Sequence, residues 1–263
     1  MNLDEKEIER RLFPSLIGGK IHYLKEVDST NTYAADLLLR GAKEGEVVIA
    51  DCQTSGRGRM DRVWHSPPGK NIFTSIILKP PMPPSRASQI TLAAGVAVAE
   101  VISLFCPGTV QLKWPNDVLI DRKKMCGILS EMKTKGDNID YVIVGIGINI
   151  NMERGDFPEE LQGSSTSLME ETTGPISRTD FAVDLYKYFE TWYRTLITEG
   201  FDPIKERWMN YSGIMGREIE VRGRNGTTGG RVVGLDNMGA LMLYDKKEQK
   251  SRILSGDVTI IGD

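Results

Sequence analysis

Residues 53–64 combine three arginines with two glycines and a tryptophan, and this composition suits an anion-binding loop. The guanidinium groups of Arg57, Arg59 and Arg62 present planar donors that match a phosphate or a carboxylate. The glycines keep the backbone mobile, and the flanking sequence predicts a strand on each side. A flexible cationic loop between rigid elements can close over an anionic ligand. A solvated loop or a nucleic-acid contact is the alternative, and other segments decide between them.

A second polar segment stands at the start of a predicted helix. Ser29, Thr30 and Asn31 follow a short predicted strand and precede apolar residues at helical spacing. With Asp28 before them, they give four N-cap candidates in a row, but a helix needs only one capping residue. Exposed hydroxyl and amide groups at a helix N-terminus also suit a small polar head group.

A third segment, residues 113–117, reads Lys-Trp-Pro-Asn-Asp. Its proline favours an extended conformation at the preceding tryptophan, which ends a predicted strand and exposes Asn116 and Asp117. Asn-Asp turns are common, so a structural role for Asn116 is the alternative. If Lys113 and Asp117 are buried together, each perturbs the pKa of the other, as happens in functional sites.

Lys124 ends a run of three cations in a predicted hairpin, where solvated charge is the usual outcome. Gly127 follows closely and permits a ligand to approach the backbone. Residues 145–149, Gly-Ile-Gly-Ile-Asn, repeat this pattern, and the amide of Asn149 can read the edge of a base. This Gly-x-Gly lacks the following helix and the third glycine of a dinucleotide fingerprint, so we reject a Rossmann site.

Several other chemistries are missing from the sequence. It has no Gly-x-x-x-x-Gly-Lys-Ser/Thr phosphate loop, and His22 and His65 offer neither a catalytic triad nor a two-histidine metal site. Cys52, Cys106 and Cys126 are too few and too scattered for a zinc site or a disulfide framework, so we predict buried thiols and no metal ligands. Local cations without an evident nucleophile suit a reaction whose substrates supply the nucleophiles.

Composition limits the possible partners and location. The 263 residues carry 33 basic and 36 acidic side chains, and this net charge of −3 argues against wholesale nucleic-acid binding. The N-terminus is charged, unlike a signal peptide. No apolar run approaches the roughly 20 residues that span a bilayer. We therefore expect a cytoplasmic protein with neither nucleic acid nor membrane as a partner.

The predicted elements divide the chain into two domains. Residues 1–212 alternate strands with helices and include a long alanine-rich helix at about 85–105. Residues 213–263 contain short strands, which suggest a small barrel. Eight basic and seven acidic residues leave this second module nearly neutral, so it is a poor platform for nucleic acid. Its predicted strands lie at 217–223, 230–235, 240–244 and 251–261.

Five motifs in order resemble those of biotin protein ligases, and the match runs from about residue 21 to 263. They are Asp-Ser-Thr-Asn at 28–31, Gln-Thr-Ser-Gly-Arg-Gly-Arg at 53–59, Lys-Trp-Pro-Asn-Asp at 113–117, Lys-Met-Cys-Gly-Ile-Leu at 124–129 and Gly-Ile-Gly-Ile-Asn at 145–149.

The resemblance implies an α+β fold. Residues 1–212 would form a catalytic domain similar to class II aminoacyl-tRNA synthetases, with a central mixed sheet flanked by helices. Residues 213–263 would form an SH3-like barrel, which either docks the acceptor or completes the nucleotide pocket. No helix-turn-helix domain fits before the first predicted strand. We therefore expect the monofunctional kind of ligase, without the N-terminal DNA-binding domain of the repressor kind.

The family reaction that the resemblance implies is ATP-dependent and has two steps. The biotin carboxylate attacks the α-phosphate of ATP, which gives biotinyl-5′-AMP and pyrophosphate. A lysine on a biotin carboxyl carrier protein, or on the carrier domain of a biotin-dependent carboxylase, then displaces AMP. Biotin and ATP are thus expected as substrates, with Mg²⁺ accompanying ATP.

The resemblance also assigns roles to residues. Lys124, Arg57 and Asp117 are expected to be catalytic, since cations screen the repulsion between the two anionic substrates. Biotin is expected to contact Ser29, Thr30, Asn31, Gln53, Arg57, Gly58, Arg59, Lys124 and Gly127. The nucleotide is expected to contact Arg59, Arg62, Trp64, Lys113, Asn116 and Asn149. For Trp64, anchoring the loop in the core is the alternative.

Three rival functions remain open from the sequence: a lipoate protein ligase, a nucleic-acid-binding module and a non-catalytic biotin sensor. We also expect residues 55–66 to be mobile without ligand. Asp61 places a negative charge in the cationic loop, where many relatives have glycine or asparagine. A homodimer is predicted, with residues 139–149 as the candidate sheet edge.

Overall fold

A seven-stranded mixed sheet forms the centre of this computed structural model, with the strand order β1-β2-β3-β7-β6-β5-β4. β1 and β2 are parallel, and the other neighbouring strands are antiparallel. The strands are β1 Ile21–Leu24, β2 Val47–Ala50, β3 Ile72–Leu78, β4 Val110–Lys113, β5 Asp117–Ile120, β6 Lys123–Lys135 and β7 Asn138–Ile148. The structure describes residues 3–106, 108–223, 226–245 and 247–261.

Side-chain alternation gives this sheet two apolar faces. On one face, Val47 and Ile49 join the main core with the helices α3 (Ser88–Phe105) and α5 (Arg178–Thr198). On the other face, Val48 packs in a smaller cluster with the helix α2 (Thr30–Leu39). α2 contacts β2, β3 and β7, so β6 and β5 extend beyond its cover on this face.

Three further helices complete the first domain. α1 (Glu5–Leu12) packs against α5 and β1, and its N-cap Asp4 accepts a hydrogen bond from the backbone N–H of Glu7. The short α4 is Leu168–Glu171, and α6 is Asp202–Tyr211. α6 packs against α3 and β4 and leads into the second domain.

α3 and the turn before it differ from one sequence expectation. The 22-residue stretch Pro84–Phe105 is long and apolar enough to cross a membrane, although the sequence analysis found no run of that length. In the fold, 67% of its most apolar window is buried. Its small residues let it pack closely against α5, α6 and the sheet, so its hydrophobicity is that of a core helix.

The second domain is a five-stranded antiparallel sheet in the order β11-β10-β9-β8-β12. Four hydrogen bonds tie its 237–239 turn to the first domain, and one of them runs from Lys205 Nζ of α6 to Asn237 Oδ1 at 3.1 Å. Trp114 Nε1 donates to the Gly239 carbonyl at 3.1 Å, Gln89 Nε2 to that of Asn237 at 2.8 Å, and Ser88 Oγ to that of Met238 at 2.8 Å. The strands are β8 Glu218–Gly223, β9 Gly226–Leu235, β10 Leu241–Tyr244, β11 Lys250–Ile253 and β12 Asp257–Ile260.

Two sequence predictions about strands are wrong. Residues 139–149 are not a sheet edge, because β7 pairs with β3 on one side and β6 on the other. Residues 251–261 are two strands instead of one. Gly256, with φ of 151°, turns the chain between β11 and β12, which lie at opposite edges of their sheet.

Candidate active site

The site lies on the sheet face that α2 covers only in part. Partners in an antiparallel ladder point to the same face. One cross-strand row therefore runs over this face from β3 to β4, and the structure places a cavity of about 390 Å³ on it. The row consists of Phe73, Gly147, Gly127, Asp117 and Lys113.

The two glycines of this row make room for Trp64. A Cβ atom on Gly147 would lie 2.5 Å from the indole Nε1, and one on Gly127 would lie 2.8 Å from the indole ring. The sequence analysis assigned the space above Gly127 to a ligand, and the indole fills it in this structure. Trp64 is therefore half-buried at the site and not in the core, with its Nε1 buried and unpartnered among the described residues.

At one end of the cavity, the start of α2 contacts residues 53–64, which are called the arginine loop from here on. Ser29, Thr30 and Asn31 are each only 4% exposed. Ser29, one of the N-cap candidates of the sequence, occupies the N-cap position, but its hydroxyl makes no capping hydrogen bond. Thr30 N donates to Gln53 Oε1 at 2.9 Å, which orients the Gln53 amide.

Asn31 is held from three sides. Its Nδ2 donates to Glu131 Oε2 at 2.7 Å and to the Leu129 carbonyl at 3.2 Å, and its Oδ1 accepts from Ser75 Oγ at 2.6 Å. A Cβ atom on Gly145 would lie 2.3 Å from that Oδ1, so only glycine fits there. The amide group of Asn31 thus joins helix α2 to strands β3 and β6.

The arginine loop is tied to both domains. Arg57 forms an ion pair with Glu131 at 2.8 Å. Arg59 donates to Asn116 Oδ1 at 3.1 Å and to the Gly256 carbonyl of the second domain at 3.2 Å. Burial lowers the pKa of Arg59.

The remainder of the loop closes on itself and on β12. Arg62 forms an ion pair with Asp257, which also lies 3.5 Å from Arg59. The Gly58 N–H, expected to contact biotin, donates to the Arg62 carbonyl at 2.7 Å. Met60 and Asp61 both have positive φ, 54° and 59°.

Lys124 lies at the charged end of the row. Its Nζ is 2.7 Å from Asp117 Oδ1 and 5.4 Å from the centre of the Trp64 ring system. The nearby Lys113 has its pKa lowered, first by burial, with Asp117 opposing and Lys124 adding to the effect. The pKa perturbation predicted from the sequence is thus present for Lys113.

The two asparagines of the predicted nucleotide site also support backbone. Asn116 Nδ2 donates to the Ile128 carbonyl at 2.9 Å, and Asn149 Nδ2 donates to the Thr166 carbonyl at 3.0 Å. The segment around Thr166 pairs in turn with Lys124, whose N–H donates to the Ser164 carbonyl at 2.8 Å. Both asparagines line the cavity, and their contacts to a nucleotide remain predictions.

The structure brings every predicted site residue to the wall of this one cavity. The sequence analysis missed Glu131, Ser75 and Asp257, which hold the predicted residues in place. Glu131 could have been found, because strand alternation puts it on the face of Gly127. Asp257 could not, since only the domain arrangement brings it to the loop. The missed apolar lining includes Phe73, Leu119, Met152, Phe157 and Leu161.

The two histidines of the sequence have structural partners. His65 Nε2 lies 3.0 Å from the Asp156 carbonyl, and His22 Nε2 lies 2.8 Å from Glu46 Oε2. Cys126 is buried, and burial raises its thiol pKa strongly. Cys106 is buried as predicted, whereas Cys52 is only half-buried. These groups offer no nucleophile to the cavity.

Comparison with known proteins agrees with this arrangement. Residues 23–149 match the biotin/lipoate A/B protein ligase family, and residues 214–260 match the biotin protein ligase C-terminal domain. The bifunctional ligase/repressor BirA of Bacillus subtilis (strain 168) is 40% identical over 258 residues, which cover 98% of this chain and 79% of that protein. The chain belongs to the biotin protein ligase family.

Other biotin protein ligases resemble it over most of their length. The biotin–[acetyl-CoA-carboxylase] ligase of Paracoccus denitrificans is 33% identical, with 84% of this chain and 92% of that protein covered. The biotin protein ligase of Aquifex aeolicus, solved in complex with biotin and ATP, superposes with a TM-score of 0.80 at 30% identity. That match covers 92% of this chain and 98% of the other.

Proposed function

We propose that this protein is an ATP-dependent ligase that activates biotin as biotinyl-5′-AMP and transfers it to a lysine of an acceptor protein. The observation that carries this proposal is the division of one cavity into two ends. Thr30, Asn31 and Gln53 line one end, where the charge of Arg57 is paired with that of Glu131, and the cations Lys113 and Lys124 line the other. A neutral head group and a pair of reacting anions need this division.

In the first step, a biotin carboxylate oxygen bonds to the α-phosphorus of ATP, and the bond to pyrophosphate breaks. Both reactants are anions, so the chain must offset their repulsion. Lys124, Arg57 and Arg59 supply positive charge around the cavity, and each side chain has a polar partner within the chain. Asp117 positions Lys124 through the 2.7 Å ion pair.

In the second step, the lysine amine of the acceptor attacks the acyl carbon, and AMP leaves with the bonding pair. The activated acid is lost if water reaches it first. Trp64, at the end of the arginine loop, covers Gly127 and Gly147 on the cavity floor. We propose that the loop in this way keeps water from the acyl carbon of the intermediate.

Mg²⁺ enters this proposal as part of the ATP substrate. Among the described residues, no group of three or more His, Cys, Asp or Glu side chains could hold a metal ion. Asp117, Glu131 and Asp257, the carboxylates beside the cations, are engaged in ion pairs. Mg²⁺ is usually bound by one or two carboxylates together with substrate phosphates, which fits this site better than a protein cage.

The proposed acceptor is a biotin carboxyl carrier protein or the carrier domain of a biotin-dependent carboxylase. The names of relatives support this choice, since the Paracoccus denitrificans protein is a biotin–[acetyl-CoA-carboxylase] ligase. We propose that residues 213–263 wrap into an SH3-like barrel that completes the nucleotide pocket. The contacts of Gly256 and Asp257 with the arginine loop support that role.

A homodimer also remains a proposal. β7 is paired with a strand on each side and offers no edge, whereas part of β6 is unpaired on one side in the described structure. β5 pairs with β6 only from Lys123 to Gly127. In the described structure, residues 129–135 of β6 thus have no strand on that side, and an edge of this kind can pair with a second copy. The mass of the particle in solution, with and without biotin and ATP, tests this proposal.

The chain is further proposed to act in the cytoplasm, with neither nucleic acid nor membrane as a partner. Its net charge of −3 supports the absence of a nucleic-acid partner. Salt-dependent retention on a nucleic-acid column would contradict it.

The decisive experiment is pyrophosphate release from ATP by the purified protein, with biotin, lipoate and octanoate as parallel acids. The proposal expects release with biotin alone. Release only with lipoate would indicate the lipoate activity of the wider family. Tight biotin binding without release would indicate a sensor.

A further inference from the structure

We propose that Ser75 is a specificity-determining positioning residue, which makes Thr30 a hydrogen-bond acceptor for an N–H group of the substrate. This inference rests on the proposed function, because the cyclic urea of biotin supplies such N–H groups. Ser75 is fully buried on β3, beside Gly145 of β7 and behind the first turn of α2. It acts on the substrate only through Asn31 and Thr30.

The neighbours of Asn31 fix the orientation of its amide group. Its nitrogen lies 2.7 Å from Glu131 Oε2 and 3.2 Å from the Leu129 carbonyl oxygen. Both of these oxygens can only accept hydrogen bonds, since Glu131 is also ion-paired with Arg57. The amide nitrogen must therefore face them, and Asn31 Oδ1 must face Ser75.

The Asn31 orientation decides where the Ser75 proton goes. Ser75 Oγ lies 2.6 Å from Asn31 Oδ1 and 2.8 Å from Thr30 Oγ1. A serine hydroxyl has one proton, and an amide oxygen can only accept. The Ser75 proton is therefore committed to Asn31. The 2.8 Å contact between the two hydroxyls is then a hydrogen bond only if Thr30 donates to Ser75.

This leaves Thr30 without a proton for the cavity. Its Oγ1 can also donate to Gln53 Oε1 at 3.2 Å, but that oxygen already accepts from the Thr30 backbone N–H at 2.9 Å, and the 2.8 Å contact with Ser75 is the shorter of the two. Two oxygen acceptors thus stand side by side in the cavity wall, and they require a donor. A cyclic urea N–H satisfies them, whereas the dithiolane of lipoate and the chain of octanoate have no N–H to offer. The chain of hydrogen bonds from Glu131 through Asn31 and Ser75 to Thr30 therefore favours a head group with N–H donors.

The test compares biotin with its two cyclic carbamate analogues, in which one or the other ureido N–H is replaced by oxygen. The dissociation constants are measured by calorimetry. We expect the unmodified protein to bind one of the carbamates at least about 30-fold more weakly than biotin. In that analogue a ring oxygen replaces the N–H group and faces Thr30 Oγ1 and Gln53 Oε1, so no hydrogen bond can form. In Ser75→Ala, Thr30 is free to turn its proton toward the ligand, and this ratio should fall to about 3-fold or less.

Two control variants separate this role from simple stability. Ser75→Thr keeps the buried hydroxyl and should keep the ratio. Thr74→Val removes the neighbouring buried hydroxyl, which contacts the Val48 carbonyl and Tyr186 on the opposite face, and should also keep it. A merely structural effect changes the affinities for biotin and carbamate by a common factor and leaves their ratio unchanged.

Each result has a defined meaning. An unchanged ratio in Ser75→Ala, or unmodified protein that binds both carbamates as tightly as biotin, would overturn the inference and leave the ligase function standing. Failure of the unmodified protein to bind biotin at all would instead overturn the proposed function. If Ser75→Ala does not fold, Ser75→Cys carries the same expectation, because a thiol is a weak donor.

Discussion

Lys124, Arg57 and Arg62 are each held by a carboxylate of the chain, supplied by Asp117, Glu131 and Asp257. A charge that is partly removed from water is costly unless it is paired. A substrate anion that approaches these cations replaces an existing partner instead of compensating a bare charge. The site can therefore hold its cations in position before either substrate binds.

Lys124 and Lys123 are adjacent, yet only Lys124 lines the cavity and pairs with Asp117. We expect Lys124→Ala to reduce biotin-dependent pyrophosphate release by about 100-fold or more, the range for loss of one preorganised charge contact. Lys123→Ala is the matched control and should remain close to the unmodified protein. Equal rates for the two variants would remove Lys124 from its catalytic role.

Lys113 predicts a pH dependence. Burial lowers its pKa below the usual value of 10.5, and the opposing charge of Asp117 does not restore it. The charged form is present below this lowered pKa and is lost as pH rises through it. The KM for ATP should therefore begin to increase at a lower pH than an ordinary lysine would allow, whereas an arginine would keep its charge throughout. In Lys113→Arg the KM should stay flat, and identical profiles would contradict a contact between Lys113 and ATP.

At the scale of elements, the middle of β6 and β7 is adapted to what lies on it. Glycine in a strand lowers its stability and usually marks a close approach. Here Gly145 accommodates Asn31, and the Gly127–Gly147 pair accommodates Trp64. The two strands have no side chains at these positions, and this lets α2 and the arginine loop approach the backbone closely.

The same glycines give a prediction for biotin affinity. In Gly145→Ala, the new Cβ would stand 2.3 Å from Asn31 Oδ1, so Asn31 must move and the head-group end must change. We expect biotin affinity to fall by about 10-fold or more, the effect of losing one or two buried hydrogen bonds. Gly155→Ala is the control, because a Cβ there meets nothing within 4 Å. Calorimetry measures the affinity, and thermal unfolding verifies that both variants are folded.

Sequence reasoning reached the elements of the first domain and the residues around the cavity, because helical spacing, strand alternation and short motifs are local signals. It failed where pairing partners decide the outcome. The composition of residues 139–149 fits an edge strand as well as a central strand. Only their pairing with β3 and β6 shows that they lie inside the sheet. Ser75 offered no signal, since its role arises from the α2 residues that pack against it.

At the scale of the molecule, the arginine loop lies between two domains. Arg57 holds to β6 of the first domain, while Arg59 and Arg62 hold to Gly256 and Asp257 of the second. Loop position and domain arrangement are therefore coupled through three arginines. The left-handed backbone of Met60 is unfavourable for a residue with a side chain, so these contacts must offset its strain.

This coupling can be measured by trypsin cleavage after Arg57, Arg59 and Arg62. We expect biotin together with ATP to slow cleavage in the loop, since the substrates add partners for the same cations. Asp257→Asn should speed cleavage of the ligand-free protein by up to about five-fold, the range for an exposed ion pair. Cleavage at Lys6 and Lys43, which are exposed and do not line the cavity, is the internal control and should not change. Equal loop cleavage with and without substrates would mean that the loop does not close over them, and protection of the activated biotin would then have to come from elsewhere in the cavity.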